Sequence, residues 1–331
     1  ALENIFQQLT TARIEKVIIA GDLFDKDYQN YSEFEQLCAK YGGLELLIIP
    51  GNHDPGINEN AIVGDNIRIF TEPTIKEINE TSFLFIPYRS GTNMGDEIAK
   101  KESELSGGDW ILVGHGDFGV VRAPISRKEE SGTYMPLSRM NLQSFRPRAV
   151  FLGHIHKPHS PYEDVHYVGS PCGLDITETG QRSFVIYDTS TGEVQDDCVI
   201  ETDVLYFNES FQMIPRDNEV ELLGEQIQER IQAWKIEPSE YEKVQLRVSA
   251  SGYAKDRRGV SEALQRGFTD FRYFRDEGPR IDELSVSSDD QLEVISDGTM
   301  KLIEELDWPF GGDQPSIEMV ESAALKAIYG N

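Results

Sequence analysis

The segment Ala149-Val-Phe-Leu-Gly-His-Ile-His156 decides how the rest of the chain reads: four apolar residues, a glycine, then two histidines one residue apart. A short apolar run of this kind is strand-sized, and a glycine at its end lets the backbone turn sharply and approach a ligand closely. The same pattern occurs three times upstream. Lys16-Val-Ile-Ile-Ala20 runs into Gly21-Asp22, Leu44 to Pro50 into Gly51-Asn52-His53-Asp54, and Trp110-Ile-Leu-Val113 into Gly114-His115. Four predicted strands therefore end in Gly followed by a potential metal ligand, and strand C-terminal ends are where α/β sheets place their sites. Of the six histidines, His53, His115, His154 and His156 sit at these ends. One histidine alone is most often a core residue; the set points to a metal site.

Between and after these motifs, Phe83 to Pro87, Val165 to Val168 and Ser183 to Tyr187 read as strands without ligands, filling the same pair of sheets. Leu2 to Ala12 reads as a helix, with Leu2, Ile5, Phe6 and Leu9 at helical spacing. The texture changes after about residue 200. Glu219 to Trp234 is a predicted amphipathic helix, Val244 to Val248 a strand, Val260 to Phe268 a helix and Phe271 to Phe274 a strand. This order predicts a small α+β domain. A polar linker is expected over Ser285 to Asp290, then helices over Gly298 to Leu306 and Ser316 to Tyr329, parted by the breaker-rich 309–315.

Composition bounds the function. The 331 residues, 39% of them hydrophobic, are enough for two domains and exclude a disordered chain. No apolar run approaches the roughly 20 residues of a membrane span. Cys38, Cys172 and Cys198 are odd in number and lack metal-like spacing, which favours a reduced, cytoplasmic setting. Ala1 rather than Met opens the chain, so the lack of a signal segment carries little weight. A net charge of -27 argues against a self-sufficient nucleic-acid coat, since such binding is driven by Lys and Arg neutralising phosphates.

Taken in order, Gly21-Asp22, Gly51-Asn52-His53-Asp54, Gly114-His115 and Gly153-His154-Ile155-His156 resemble the motifs of the calcineurin-like metallophosphoesterases. The resemblance implies a four-layer α/β/β/α sandwich and two divalent metals, with Asp22 bridging them. Asn52, His115 and His154 would complete one metal and His156 would join the other. Imidazole nitrogen mixed with carboxylate and amide oxygen suits Mn²⁺, Fe²⁺ or Zn²⁺ more than Mg²⁺ or Ca²⁺. His53 would stabilise the transition state or protonate the leaving oxygen, with Asp54 holding its ring. The family also has an Asp-x-His pair on a first strand; this chain is read as lacking that pair throughout, with only 20 residues before Gly21. The expectation is that the native protein carries this motif upstream of Ala1; the alternative is a naturally degenerate relative.

Within that superfamily, Gly21-Asp-Leu-Phe-Asp25, Phe85-Ile-Pro-Tyr88, Leu152-Gly-His-Ile-His-Lys-Pro158 and Tyr167-Val-Gly-Ser-Pro-Cys-Gly-Leu-Asp175 resemble the SbcD nuclease family, counterpart of Mre-eleven. The likeness covers about residues 1 to 190, although His115 stands in Gly-His-Gly-Asp rather than in the sequence many members carry. It implies a manganese-dependent DNA exonuclease and endonuclease, with two Mn²⁺ ions expected and Fe²⁺, Zn²⁺ or Mg²⁺ as substitutes. It also implies an SbcC-like SMC-type ATPase partner and a homodimer. The domains expected are a nuclease domain at 1–200, an α+β capping domain at 201–285 and a partner-binding helical tail at 286–331. Other readings are a small-molecule or lipid phosphodiesterase and a catalytically silent assembly subunit.

Charge is uneven along the chain. Between Val120 and Lys157, Arg122, Arg127, Lys128, Arg139, Arg146, Arg148 and Lys157 outweigh Glu129 and Glu130. A second basic window, Lys243 to Arg280, includes Arg257 and Arg258 and is interleaved with Tyr253, Phe268, Phe271, Tyr273 and Phe274. These windows are candidate grips for DNA phosphates, and the plain alternative is solvated faces with core aromatics. By contrast, Asp282 to Glu321 holds Lys301 as its one basic residue among twelve acids.

Overall fold

The protein is described by a computed structural model covering residues 1–26, 30–105, 109–119, 134–287, 289–306 and 315–329. It divides into two compact units, Ala1–Cys172 with Gln181–Thr202, and Gly173–Gly180 with Asp203–Asn331.

The first unit is built on two sheets. In one, β1 (Lys16–Ala20), β2 (Glu45–Ile49) and β3 (Ile67–Ile69) run parallel. The other has six strands: β4 (Thr74–Ile78), β5 (Thr81–Ile86), β6 (Trp110–His115), β7 (Ala149–Gly153), β8 (His159–Tyr162) and β9 (Val165–Tyr167). Their order is β4-β5-β6-β7-β9-β8, parallel from β5 through β7 to β9 and antiparallel at both edges. A hairpin, β10 (Arg182–Tyr187) with β11 (Val194–Ile200), completes the unit.

Strand alternation builds the layers. Leu47 and Ile49 of β2 meet Phe83, Phe85, Ile111, Val113 and Phe151 in the core between the sheets. Leu46 and Ile48 point the other way, onto Ile5, Phe6 and Leu9 of α1 (Leu2–Thr11) and Phe34 and Cys38 of α2 (Ser32–Lys40). On the far side of the second sheet, Leu84, Leu112, Val150 and Leu152 pack on Met94 and Ile98 of α3 (Met94–Lys101), with Leu142 and Phe145 of α4 (Arg139–Phe145) against them. The layer order is therefore helix, sheet, sheet, helix, the four-layer arrangement expected from the motifs. Each wholly buried Leu, Ile or Phe contributes about 1.5–3 kcal/mol.

In the second unit, β12 (Leu205–Met213) and β13 (Val244–Ala254) pair in parallel, with β14 (Arg272–Tyr273) and β15 (Leu284–Val286) both along β13. Helices α5 (Glu219–Ala233) and α6 (Arg257–Gly267) connect the strands, and Leu223, Ile227, Val260 and Leu264 bury against the sheet. The strand β12 is not among those expected from the sequence, although Leu205, Phe207, Phe211 and Met213 alternate inward; polar Asn208, Glu209 and Gln212 mask the run. The expected linker over Ser285 to Asp290 is corrected: 284–286 adds a short strand, too brief for a periodic signal. Helix α7 (Asp290–Glu304) starts eight residues before the expected Gly298, because the Asp289 side chain accepts from Gln291 and Leu292 N–H and caps it. It pairs with α8 (Ile317–Tyr329) over Met300, Ile303 and Leu325.

Candidate metal centre

Parallel pairing in register brings the motif loops together. Ala20 pairs with Ile49, so Gly21-Asp22 and Gly51-Asn52 leave the first sheet side by side. His115 pairs with Gly153, so His115 and His154 do the same in the second sheet. Glycine is required at these exits. A Cβ on Gly153 would lie 1.9 Å from the Ala20 carbonyl oxygen, and one on Gly21, where φ is +88°, would lie 2.2 Å from His115 Nδ1. Asp22 and His154 also hold positive φ (52° and 91°), conformations unfavourable for side-chain-bearing residues and retained where the surroundings impose them.

Four side chains converge. Asn52 Oδ1 lies 2.9 Å from both His115 Nε2 and His154 Nδ1, and His115 Nε2 is 3.1 Å from Asp22 Oδ2. One donor atom each from Asp22, His115 and His154 falls within 4.8 Å of the others. His115, wholly buried, donates from Nδ1 to the Ala20 carbonyl at 2.7 Å, so in its neutral form Nε2 presents a lone pair to two oxygens. Lone pairs aimed at one another in a buried place are satisfied by a cation, and this mixed N/O donor set fits a divalent transition metal.

Electrostatics match this arrangement. Burial pushes the Asp22 carboxyl upward, but the hydrogen bond and charge of His115 and the His53 N–H outweigh it, and the group stays below its usual range. Burial and then the neighbouring His115 charge depress His154 to about 4, which keeps its imidazole neutral and able to ligate.

The other expected site residues are placed as follows. His53 is exposed, and its backbone N–H donates to Asp22 Oδ1 at 2.9 Å. Its ring has Asp25 as acidic neighbour (3.9 Å) rather than Asp54, which corrects the role expected of Asp54. Asp54 is fully buried and accepts from Gly51 N–H (2.7 Å) and Phe24 N–H (3.1 Å), tying the two motif loops of the first sheet together; burial raises its carboxyl. His156 stands outside the group formed by Asp22, His115 and His154, while its carbonyl accepts from Ser170 N–H and Arg182 Nη1, both at 3.0 Å. Asp164-Val165-His166 also spells Asp-x-His, but His166 is bonded to Ser160 and stacks on Phe151, away from these donors.

Among the candidate DNA contacts, Arg122 lies outside the described residues, as do Arg127 and Lys128. Arg139, Arg146 and Lys157 are exposed, with Arg139 over the Tyr162 ring. Arg148 is committed to the protein, binding Tyr187 Oη, Asp109 and the Thr189 carbonyl. Arg257 binds the Ile281 carbonyl and Arg258 pairs with Glu262. Phe268 and Phe271 are buried in the core, so they are not base-stacking surfaces.

Two contributors carry no signal in the sequence. Asp117, the last residue of Gly-His-Gly-Asp, is buried with Oδ1 3.6 Å from His154 Nε2. Tyr167 is buried too, accepting from Phe118 N–H and donating to the Gly116 carbonyl, which fixes the loop after His115. A single Asp or Tyr inside a motif has no periodicity to reveal it.

A solved structure described as a novel archaeal phosphodiesterase is similar at 17% identity over 59% of this chain and 90% of its own, with a TM-score of 0.34. The search of curated proteins found no match. The sequence model of the calcineurin-like phosphoesterase family matches residues 1–158, the stretch holding Asp22, Asn52, His115 and His154 at its strand ends. That match covers 158 of the 331 residues and lies within the first unit.

Proposed function

We propose that the chain is the nuclease subunit of an SbcCD-like double-strand-break repair complex, hydrolysing DNA phosphodiesters with Mn²⁺ as exonuclease and endonuclease. The observation that carries the phosphoester chemistry is the convergence of Asp22, Asn52, His115 and His154 at the ends of two parallel strand pairs, β1 with β2 and β6 with β7. DNA as the substrate is supported by the likeness of the 167–175 segment to the SbcD pattern and by exposed Arg139, Arg146 and Lys157 in the same unit. An ATPase partner is supported by α7 and α8, which expose Val294, Ile295, Leu302 and Met319 in an acidic setting.

Asp22, Asn52, His115 and His154 would hold the cation, which when bound neutralises phosphoryl charge and acidifies a water. The protein's own groups do the rest. Asp54 keeps the Gly51-Asn52 turn and the Asp22 loop in register. His53 stands exposed beside them, its ring near Asp25, where it can hand a proton to a leaving oxygen.

The test is incubation of the full chain with Mn²⁺ and linear duplex DNA, beside Asn52→Ala and His154→Ala variants. Degradation that disappears in both variants supports the nuclease. Turnover of a generic phosphodiester reporter with intact DNA points to a small-molecule phosphodiesterase, and no turnover of either, even by a chain supplied with an upstream Asp-x-His strand, points to a silent assembly subunit.

A further inference from the structure

We propose that Asp117 is a positioning residue for this centre: its carboxylate holds the proton of His154 on Nε2 and so keeps Nδ1 free to ligate. This rests on reading Asp22, Asn52, His115 and His154 as a divalent-cation site.

The two imidazoles of the cluster are arranged alike. Each turns one nitrogen to Asn52 Oδ1, His115 through Nε2 and His154 through Nδ1, both at 2.9 Å. Each turns its other nitrogen to an oxygen that can only accept when ionised or carbonyl: Ala20 O for His115 at 2.7 Å, Asp117 Oδ1 for His154 at 3.6 Å. A neutral imidazole carries one proton, and the nitrogen that keeps it cannot bind a cation. Without Asp117, the Asn52 oxygen would draw that proton to Nδ1, where the ligand lone pair is needed.

The 3.6 Å separation exceeds a hydrogen bond, but the charge acts across it because both side chains are shielded, 13% exposed for His154 and 8% for Asp117. Asp117 is also fixed in place. Its Oδ2 accepts from Tyr134 N–H at 2.7 Å, its own N–H donates to Tyr134 O at 2.8 Å, and its carbonyl accepts from Leu137 N–H at 2.8 Å. Tyr167 clamps the residues on either side, bonding Gly116 O and Phe118 N–H. A carboxylate so anchored has Oδ1 left for the imidazole. Metal-bound histidines commonly pair their second nitrogen in this way, and removing such a partner weakens metal binding by about 10–100-fold.

Asp117→Asn tests this, because its amide oxygen can still accept from Tyr134 N–H while an NH₂ replaces the charge facing Nε2. Co²⁺ is titrated into the full metal-free chain, read by calorimetry and by visible absorption of the bound ion. Binding weakened about 10–100-fold, with an altered absorption band and a metal-free melting temperature near wild type, is the expected result. Binding within twofold of wild type overturns the proposal. A wild-type chain that binds no Co²⁺ overturns the metal-centre reading itself, a distinguishable failure. Should the variant not fold, ¹⁵N NMR of the metal-free wild type decides: an Nε2–H tautomer for His154 is expected, and an Nδ1–H tautomer overturns the proposal.

Discussion

His115 donates from Nδ1 to the carbonyl of Ala20 at 2.7 Å, joining the end of β6 to the end of β1. Because a carbonyl only accepts, the bond fixes which imidazole nitrogen faces Asp22 and Asn52. It also couples the two sheets at the place where the chemistry is assembled, so anything that moves Ala20 away from His115 disturbs the ligand set.

Gly153→Ala is the sharpest test of that coupling. The new methyl would stand 1.9 Å from the Ala20 oxygen and 2.8 Å from His115 Nδ1, and the first is backbone that cannot rotate aside. Overpacking of this kind destabilises by about 1–3 kcal/mol. Metal affinity is expected to fall by about tenfold or more, on the order of a lost supporting contact. Denaturant unfolding and Co²⁺ titration measure the two effects. Wild-type affinity in the variant would show that the carbonyl does not orient His115.

The metal-free protein is expected to lose stability as pH falls from about 6.5 to about 4 through His154. Burial holds this group at about 4 when folded, against an ordinary value of 6.5. Below 6.5 the unfolded chain takes up a proton that the folded chain refuses, so unfolding gains; below 4 both states are protonated and the loss levels off. The loss is of the order of 3 kcal/mol at most. Unfolding curves of wild type and His154→Asn across this range read the effect: the variant lacks the fall, and parallel curves would contradict it.

The ends of the strands were legible because each ligand follows an apolar run and a glycine, a local pattern that needs no tertiary information. Lys16–Ala20 and Ala149–Gly153 carry their burial in their own side chains, and the layers follow from alternation. What was not legible depends on partners distant in sequence. Adjacency assigns Asp54 to His53, yet its oxygens serve Gly51 and Phe24 because the GNHD turn points its carboxylate back between the two loops. Asp117 matters through His154, 37 positions away. Phe268 and Phe271, interleaved with basic residues, read from the sequence either as a binding face or as core, and the fold around α6 and β14 decides for the core by turning them inward.

Away from the site, Glu45 is expected to add acid-dependent stability. Hydrogen bonds from Lys16 and Lys76 hold its carboxyl at about 2, below the usual 4.5. A depressed carboxylate stabilises the fold above the unfolded value, and that contribution fades as pH falls from 4.5 toward 2. The group is partly exposed, so the network is worth about 1 kcal/mol rather than what the shift alone implies. Glu45→Gln should lower stability by that amount at about pH 7 and match wild type near pH 2. A constant offset between the two unfolding curves would assign the effect to packing instead.

Arg146 and Arg148 lie two residues apart but should behave differently toward DNA. Arg148 is held by Tyr187, Asp109 and Thr189 and crosses the Tyr187 ring, so its guanidinium is spent on joining the start of β7 to the β10–β11 hairpin. Arg146 is exposed, and its bond to the Gln143 carbonyl is long at 3.4 Å, which leaves its charge available to a phosphate. Arg148→Ala should destabilise the fold by about 1–3 kcal/mol, through the partners it leaves unpaired, and leave the salt dependence of DNA binding unchanged. Arg146→Ala should leave stability within about 0.5 kcal/mol and reduce the slope of log affinity against log salt by about 1. Binding isotherms at several salt concentrations separate the two, and an unchanged slope for Arg146→Ala would remove this surface from the DNA path.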